Sequence, residues 1–113
     1  MDLNNYLDNL PQLHSWDNGL TWNSGGFEKH HLEKLYKFLD LNLNKKSTFL
    51  ETGAGNTTLL FLLFGPAKLI SICPEIELFQ RIHSFCDKNS IEYNNHDFIV
   101  NGSEWALPKL ISS

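Results

Sequence analysis

The spacing of hydrophobic positions along this chain changes several times, and each change marks an element. Leu3, Leu7 and Leu10 recur at helical spacing, and Pro11 predicts the end of that short helix. Trp16 and Trp22 flank Asp17-Asn18-Gly19, a turn signal, and Gly25-Gly26 makes a second break. Residues 1–26 therefore read as an arm or lid lying on a domain formed by 27–113. From Phe27 to Leu41 the pattern is helical. Leu32, Leu35, Tyr36, Phe38 and Leu39 share one broad face, and Glu33 and Lys37 form an i,i+4 pair in the favourable order.

A short strand centred on Phe49 and Leu50 follows, within 47–52. It runs directly into Gly53-Ala54-Gly55-Asn56-Thr57-Thr58 and then the uniformly apolar run Leu59 to Phe64. So short a run has no period that separates helix from strand, and its neighbours decide. Asn-Thr-Thr in front supplies a helix start and Gly65-Pro66 behind supplies a stop, which predicts a short buried helix. Lys68 to Cys73 reads as a second strand ended by Pro74. Glu75 to Asn89 reads as a helix, with Ile76, Phe79, Ile82, Phe85 and Cys86 on its apolar face. Phe98-Ile99-Val100 makes a third strand, entered through an Asn94-Asn95 turn. Asn101-Gly102-Ser103 leads to a helix start near Glu104, stopped or kinked at Pro108. Alternation of this kind predicts an α/β fold with a parallel sheet and right-handed crossovers.

Composition narrows the function classes. The 113 residues allow one domain, and 42% hydrophobic with 19% charged residues is a globular balance. A net charge of -4, with no basic cluster longer than Lys45-Lys46, leaves no electrostatic footprint for nucleic acid or an anionic membrane surface. No apolar run approaches the length of a membrane span, and the polar, acidic start is unlike a secretory signal. Cys73 and Cys86 sit inside apolar patterns at a spacing that fits no zinc or redox signature, so packed, reduced thiols in a cytoplasmic protein are expected. His30 and His31 are adjacent and should point in different directions on a helix, and His14, His83 and His96 are isolated, so no metal site is expected.

The chemistry is concentrated at the glycine turn. Gly53 and Gly55 lack a β-carbon, so the chain can turn sharply and its backbone can approach a ligand closely. The helix that follows points free N–H groups and partial positive charge at the same place. In dinucleotide-binding folds such a cradle holds a pyrophosphate, but the third glycine of G-x-G-x-x-G is replaced here by Thr58. That departure disfavours an NAD- or FAD-type binder.

The spelling E-T-G-A-G-N-T-T over Glu51, Thr52, Gly53, Ala54, Gly55, Asn56, Thr57 and Thr58 resembles the first motif of class I S-adenosylmethionine-dependent methyltransferases. The resemblance implies that this turn packs against the amino-acid part of the cofactor, with the acidic residue acting directly or through water. It also implies a Rossmann-like three-layer sandwich, a sheet in the order 3-2-1 and helices on both faces. Glu75, about 20 residues past Gly55, stands near where the family's acid takes the ribose hydroxyls. The family usually places that acid at the last strand residue, here Cys73, so Glu77 is the alternative. Ser103 and Glu104 correspond to the loop that contacts the adenine, and Gly25-Gly26-Phe27 is similar to the family's approach segment.

The resemblance covers about residues 25 to 110 and would stop before a fourth strand. In the complete fold that strand borders the first one and carries the residues beside the methyl group. The expectation is thus a cofactor-binding half of a methyltransferase, truncated and incomplete for catalysis alone. Its exposed first-strand edge would be covered by a homodimer mate or another partner. A non-enzymatic module that folds through self-association is the alternative. Simpler roles remain open for several of these residues: Thr57, Thr58, Ser103 and Glu104 suit helix caps, and Glu75 suits any first helical turn. Trp16, Trp22 and Trp105 suit either packing or stacking on a ligand ring.

Overall fold

The computed structural model describes residues 1–101. Ser103, Glu104, Trp105 and the helix expected near Glu104 lie outside the described residues. The elements run α1 (Leu3–Asp8), α2 (Lys29–Asn42), β1 (Thr48–Thr52), α3 (Asn56–Phe64), β2 (Lys68–Cys73), α4 (Ile76–Asn89) and β3 (His96–Val100). The strands form an all-parallel open sheet in the order β1-β2-β3. Its register pairs Phe49 with Leu69, Glu51 with Ser71 and Ser71 with Phe98. The α/β alternation read from the sequence is therefore present.

Alternation along the strands sorts the side chains onto two faces. Phe49, Glu51, Leu69, Ser71, Cys73, His96 and Phe98 share one of them, and the helices pack there. Phe49 stacks on Phe64 of α3 at 5.8 Å and meets Phe61 edge-on at 5.3 Å. Phe79 of α4 stacks on Phe98 at 4.8 Å. Helix α2 lies over α3, with Tyr36 edge-on to Phe64 at 5.9 Å. Helix α1 reaches α3 and α4 through Tyr6, which bonds Asn56 and sits edge-on to Phe85 at 6.4 Å.

Among the described residues helices α2, α3 and α4 gather on this one face. The physical reason is topological. Two successive crossovers of one hand, stepping in the same direction across a sheet, deliver both helices to the same side. The opposite face carries Leu50, 52% exposed, Ile70 and Ile99, partly exposed, and Ile72, buried.

The run Leu59–Phe64 forms the buried helix α3, which ends on Gly65 in a left-handed conformation with φ 82°. Two helical faces differ in detail from the pattern. In α2, Leu32 and Leu39 are buried, whereas Phe38 points to solvent. In α4, Leu78 is buried in place of Ile76, which lies at the first position of the helix and is only partly covered. Glu33 and Lys37 do pair, at 3.3 Å.

The segment 1–26 is no loose appendage: Tyr6, Leu7 and Leu13 belong to the same core as α2, α3 and α4. Cys73 and Cys86 are free and buried, and desolvation pushes the Cys86 thiol up to about 12. No helix among the described residues is long and apolar enough to cross a membrane.

Candidate functional site

The glycine turn is built where β1 stops and α3 begins. Gly53 adopts φ 84° and donates its N–H to the Ile72 carbonyl at 2.7 Å, which fastens the turn to β2. Gly55 adopts φ 153° with ψ -138°, a conformation that L side chains rarely enter. Both glycines of the motif therefore answer a backbone requirement.

Glu51 faces inward beneath α3. Its Oε1 accepts from Ser71 Oγ at 2.7 Å and from the Thr58 hydroxyl, and its Oε2 accepts from Thr57 Oγ1 at 3.2 Å. Thr58 Oγ1 in turn accepts the Gly55 N–H at 3.0 Å. Burial raises the pKa of this carboxyl, and the three hydroxyl donors pull it back only in part. Glu51 does not line the cavity described below. It is the post that holds Thr57, Thr58 and, through Thr58, the turn itself.

Asn56, the first residue of α3, bolts the arm to the turn. Its Nδ2 donates to the carbonyls of Ser24 at 2.7 Å and Pro11 at 3.2 Å. Its Oδ1 and backbone carbonyl accept from the Tyr6 hydroxyl at 2.9 and 2.7 Å. An antiparallel bridge between His14 and Asn23 then closes residues 14–23 into a small hairpin. The Asp17 carboxylate organises its tip, accepting from the Thr21 hydroxyl and N–H and from Ser15, and these donors hold its pKa below the usual range.

The hairpin carries His14 onto the turn. The ring is seated between Gly25 and Gly55. A β-carbon at Gly55 would lie 2.7 Å from His14 Nε2, and one at Gly25 would lie 2.9 Å from His14 Cδ2. Burial, and secondarily the charge of Arg81, lower the His14 pKa. Between arm and turn lies a cavity of about 340 Å³. Thr52 to Thr57 wall it on one side, with His14, Trp16 and Ser24 to Phe27 on the other. Among the described residues its lining carries no charged side chain, and Trp16 stands 78% exposed at its mouth.

The sequence candidates thus divide. Thr52, Gly53, Ala54, Gly55, Asn56 and Thr57 meet at the cavity, while Glu51 and Thr58 support it from beneath. Glu75 precedes α4 and engages Arg81 at 3.2 Å instead of lining the cavity. Arg81 also donates to the Leu13 carbonyl at 2.8 Å and lies 5.0 Å from the Trp22 ring, so this cluster ties the arm to α4. Trp22 accordingly packs against the Arg81 guanidinium, and Trp16 is the indole at the cavity.

Sequence reading missed His14, Ser24 and the anchor Tyr6. An isolated histidine carries no spacing signal, and only Gly25-Gly26 hinted that backbone would be approached closely there. The expectation that His30 and His31 diverge is corrected. Their rings lie 4.0 Å apart at the start of α2, and their ligand atoms lie within 4.8 Å of each other and of Glu28, all three residues being exposed. The His31 ring turns back to accept the Glu28 N–H, which brings the group together.

The fold and site together describe an α/β protein with a parallel sheet, a glycine turn at the end of β1 and an arm folded over that turn. No family model, curated protein or solved structure matches the chain.

Proposed function

We propose that the cavity between the arm and the glycine turn binds S-adenosylmethionine or its demethylated product. On this reading the three strands are the 3-2-1 half of a Rossmann-like sheet, and methyl transfer to an unassigned acceptor is the activity to which the site belongs. The observation that carries the reading is the turn itself. Two glycines at positive φ bend the chain so that Gly53, with open space at its Cα, and the start of α3 face a half-open cavity, while the His14 ring covers Gly55. Its volume falls at the small end of ligand sites, which run from roughly 300 to 1,000 Å³.

Two features favour this ligand over a dinucleotide. Thr58 stands where a pyrophosphate turn has its third glycine, and it is fully buried with its hydroxyl committed to Glu51. Among the described residues the cavity lining also offers no cation to phosphates. Methyl transfer depends largely on aligning a nucleophile with the sulfonium methyl, so the residues here would act by binding and orienting.

Calorimetric titration with S-adenosylhomocysteine tests the proposal, with NAD as the competing ligand. Gly55→Val serves as the turn-disrupting blank, and Trp16→Ala, at an exposed position, as a blank that keeps the fold. Saturable binding that both substitutions weaken, with none for NAD, is the expected outcome. Absence of heat from a folded chain would refute it.

A second reading rests on the β1 edge, which no strand pairs among the described residues, and on Leu50 beside it, 52% exposed. On that reading the chain is a non-enzymatic module that associates through this edge. Sedimentation across a concentration series separates the two: a monomer that binds S-adenosylhomocysteine supports the first, and a dimer without ligand affinity supports the second.

A further inference from the structure

The helix-covered face of the sheet contains a line of polar groups that the proposed ligand site leaves unused. Ser71 Oγ lies 2.7 Å from Glu51 Oε1 and 2.8 Å from His96 Nε2. His96 Nδ1 lies 2.8 Å from His83 Nε2. Ser71 and His96 are buried, at 0% and 7% exposure, inside an otherwise apolar layer that includes Phe79 and Phe98. His83 sits at the rim, stacked on Tyr93 at 4.2 Å. No buried polar side-chain atom lacks a partner, and His83 Nδ1 has no hydrogen bond, among the described residues, and His83 itself is only half-buried, so this ring is the line's end nearest the surface.

Donor and acceptor counting leaves this line two self-consistent arrangements. Thr58 Oγ1 accepts from Gly55, so its own proton must go to Glu51. With Glu51 ionised, Ser71 O–H donates to the carboxylate, His96 Nε2–H donates to Ser71, and His83 Nε2–H donates to His96 Nδ1. In the other arrangement every bond is reversed: protonated Glu51 donates to Ser71, Ser71 to His96 Nε2, and His96 Nδ1–H to His83 Nε2. The two differ by a single proton. It enters at His83 Nδ1, one proton hops along each bond, and Glu51 gains one. Both imidazoles are neutral before and after, with their tautomers exchanged.

We propose that Glu51, Ser71, His96 and His83 form a proton relay that connects the carboxylate beneath the glycine turn to the protein surface. The relay sets the charge of the group that holds the turn, and thereby makes the turn responsive to pH. The relay stands without any ligand; only its effect on affinity rests on the reading of the cavity given above. The directions of the individual pKa shifts fit. Burial holds His96 down near 4 and lowers His83, which disfavours a cationic ring, and it raises Glu51, which favours the protonated carboxyl. The other ionisable groups around the line are Asp87, which accepts from Tyr93 at 2.9 Å, and Asp97, which is paired with Lys68 at 2.9 Å. Both are exposed: Asp87 lies at the rim beside Tyr93, and Asp97 projects from the opposite face of the sheet.

Nitrogen-15 spectra of the histidine rings, recorded with carbon-13 spectra of the carboxyls across an acid titration of the ligand-free chain, test this. At neutral pH His83 and His96 are expected as Nε2–H tautomers. On acidification both rings should switch to Nδ1–H at the same midpoint at which the Glu51 carboxyl protonates. Ser71→Ala, which removes the central hydroxyl, should abolish the shared midpoint and leave Glu51 and the rings titrating separately. Separate midpoints in the wild-type chain would overturn the relay, as would direct conversion of His96 to imidazolium or a shared midpoint that survives in Ser71→Ala. The wild-type measurement decides even where Ser71→Ala fails to fold. Because no ligand is present, failure of the relay and failure of the cofactor reading remain distinct results.

Discussion

Replacing Gly55 by Ala tests the central structural claim, that the arm presses His14 onto the glycine turn. Two costs arise. The first is conformational: at φ 153° an alanine enters backbone space that is nearly reserved for glycine, about 1–3 kcal/mol. The second is steric: the new β-carbon would lie 2.7 Å from His14 Nε2, so the ring and its hairpin must shift, another ~1–3 kcal/mol. A domain of this size has roughly 5–15 kcal/mol of stability in total, so the variant should still fold but with a much lower urea midpoint. The two costs separate in a double-mutant cycle with His14→Ala. Removing the ring relieves the steric part and leaves the conformational part, so Gly55→Ala should cost less in that background by about 1–2 kcal/mol. That coupling exceeds the scatter of roughly 0.3–0.5 kcal/mol expected for independent sites. Urea unfolding followed by far-ultraviolet circular dichroism measures all four corners. Additivity within that scatter would show that His14 does not cover the turn, and a neutral Gly55→Ala would show that the turn does not need its positive φ.

Other outcomes follow from the same geometry. Stability should fall as the solution is acidified from about pH 6.5 to about pH 4. The unfolded chain takes up a proton at His96 that the folded chain, with its pKa near 4, refuses, and the loss reaches about 3 kcal/mol. Glu51, raised by burial, acts in the opposite sense and offsets part of this, while His83 and His14, both lowered, add to it. Urea midpoints across that window check the sign, and a profile that His96→Gln leaves unchanged would contradict the assignment. Tyr6→Phe removes the hydroxyl that bonds Asn56 twice in a fully buried position and should cost about 1–3 kcal/mol, seen as a lowered melting temperature. Cys86, fully buried with its thiol pushed up to about 12, should resist iodoacetamide at neutral pH until denaturant is added, and rapid labelling of the native chain would contradict its burial.

Much of this architecture was legible in the order of residues, because local physics dictates it. The run Leu59–Phe64 becomes a helix since Asn-Thr-Thr can start one and Gly65 can stop one, whatever it packs against. The parallel pairing of β1, β2 and β3 follows from strands separated by helix-length crossovers. Gly53 and Gly55 announced a tight turn, and both adopt positive φ. Which face a borderline side chain takes was less accessible: Phe38 lies at the margin of the α2 stripe, and only the seat of α3 decides that Leu39 goes in and Phe38 stays out. Glu51 was readable as the acid of the turn, but not as a buried post bonded to Ser71, because that contact depends on the register between β1 and β2.

Tertiary structure alone brought His14 onto Gly55, Glu75 onto Arg81, and His96 between Ser71 and His83. These partners are far apart in sequence, and no periodicity links them. Sequence by itself determined the helices, the strands and the place of the glycine turn, since each depends on neighbours within a few residues. The cover over that turn and the polar line beneath it depend on how the arm, the sheet and α4 close on one another, and that was decided only when the whole chain packed.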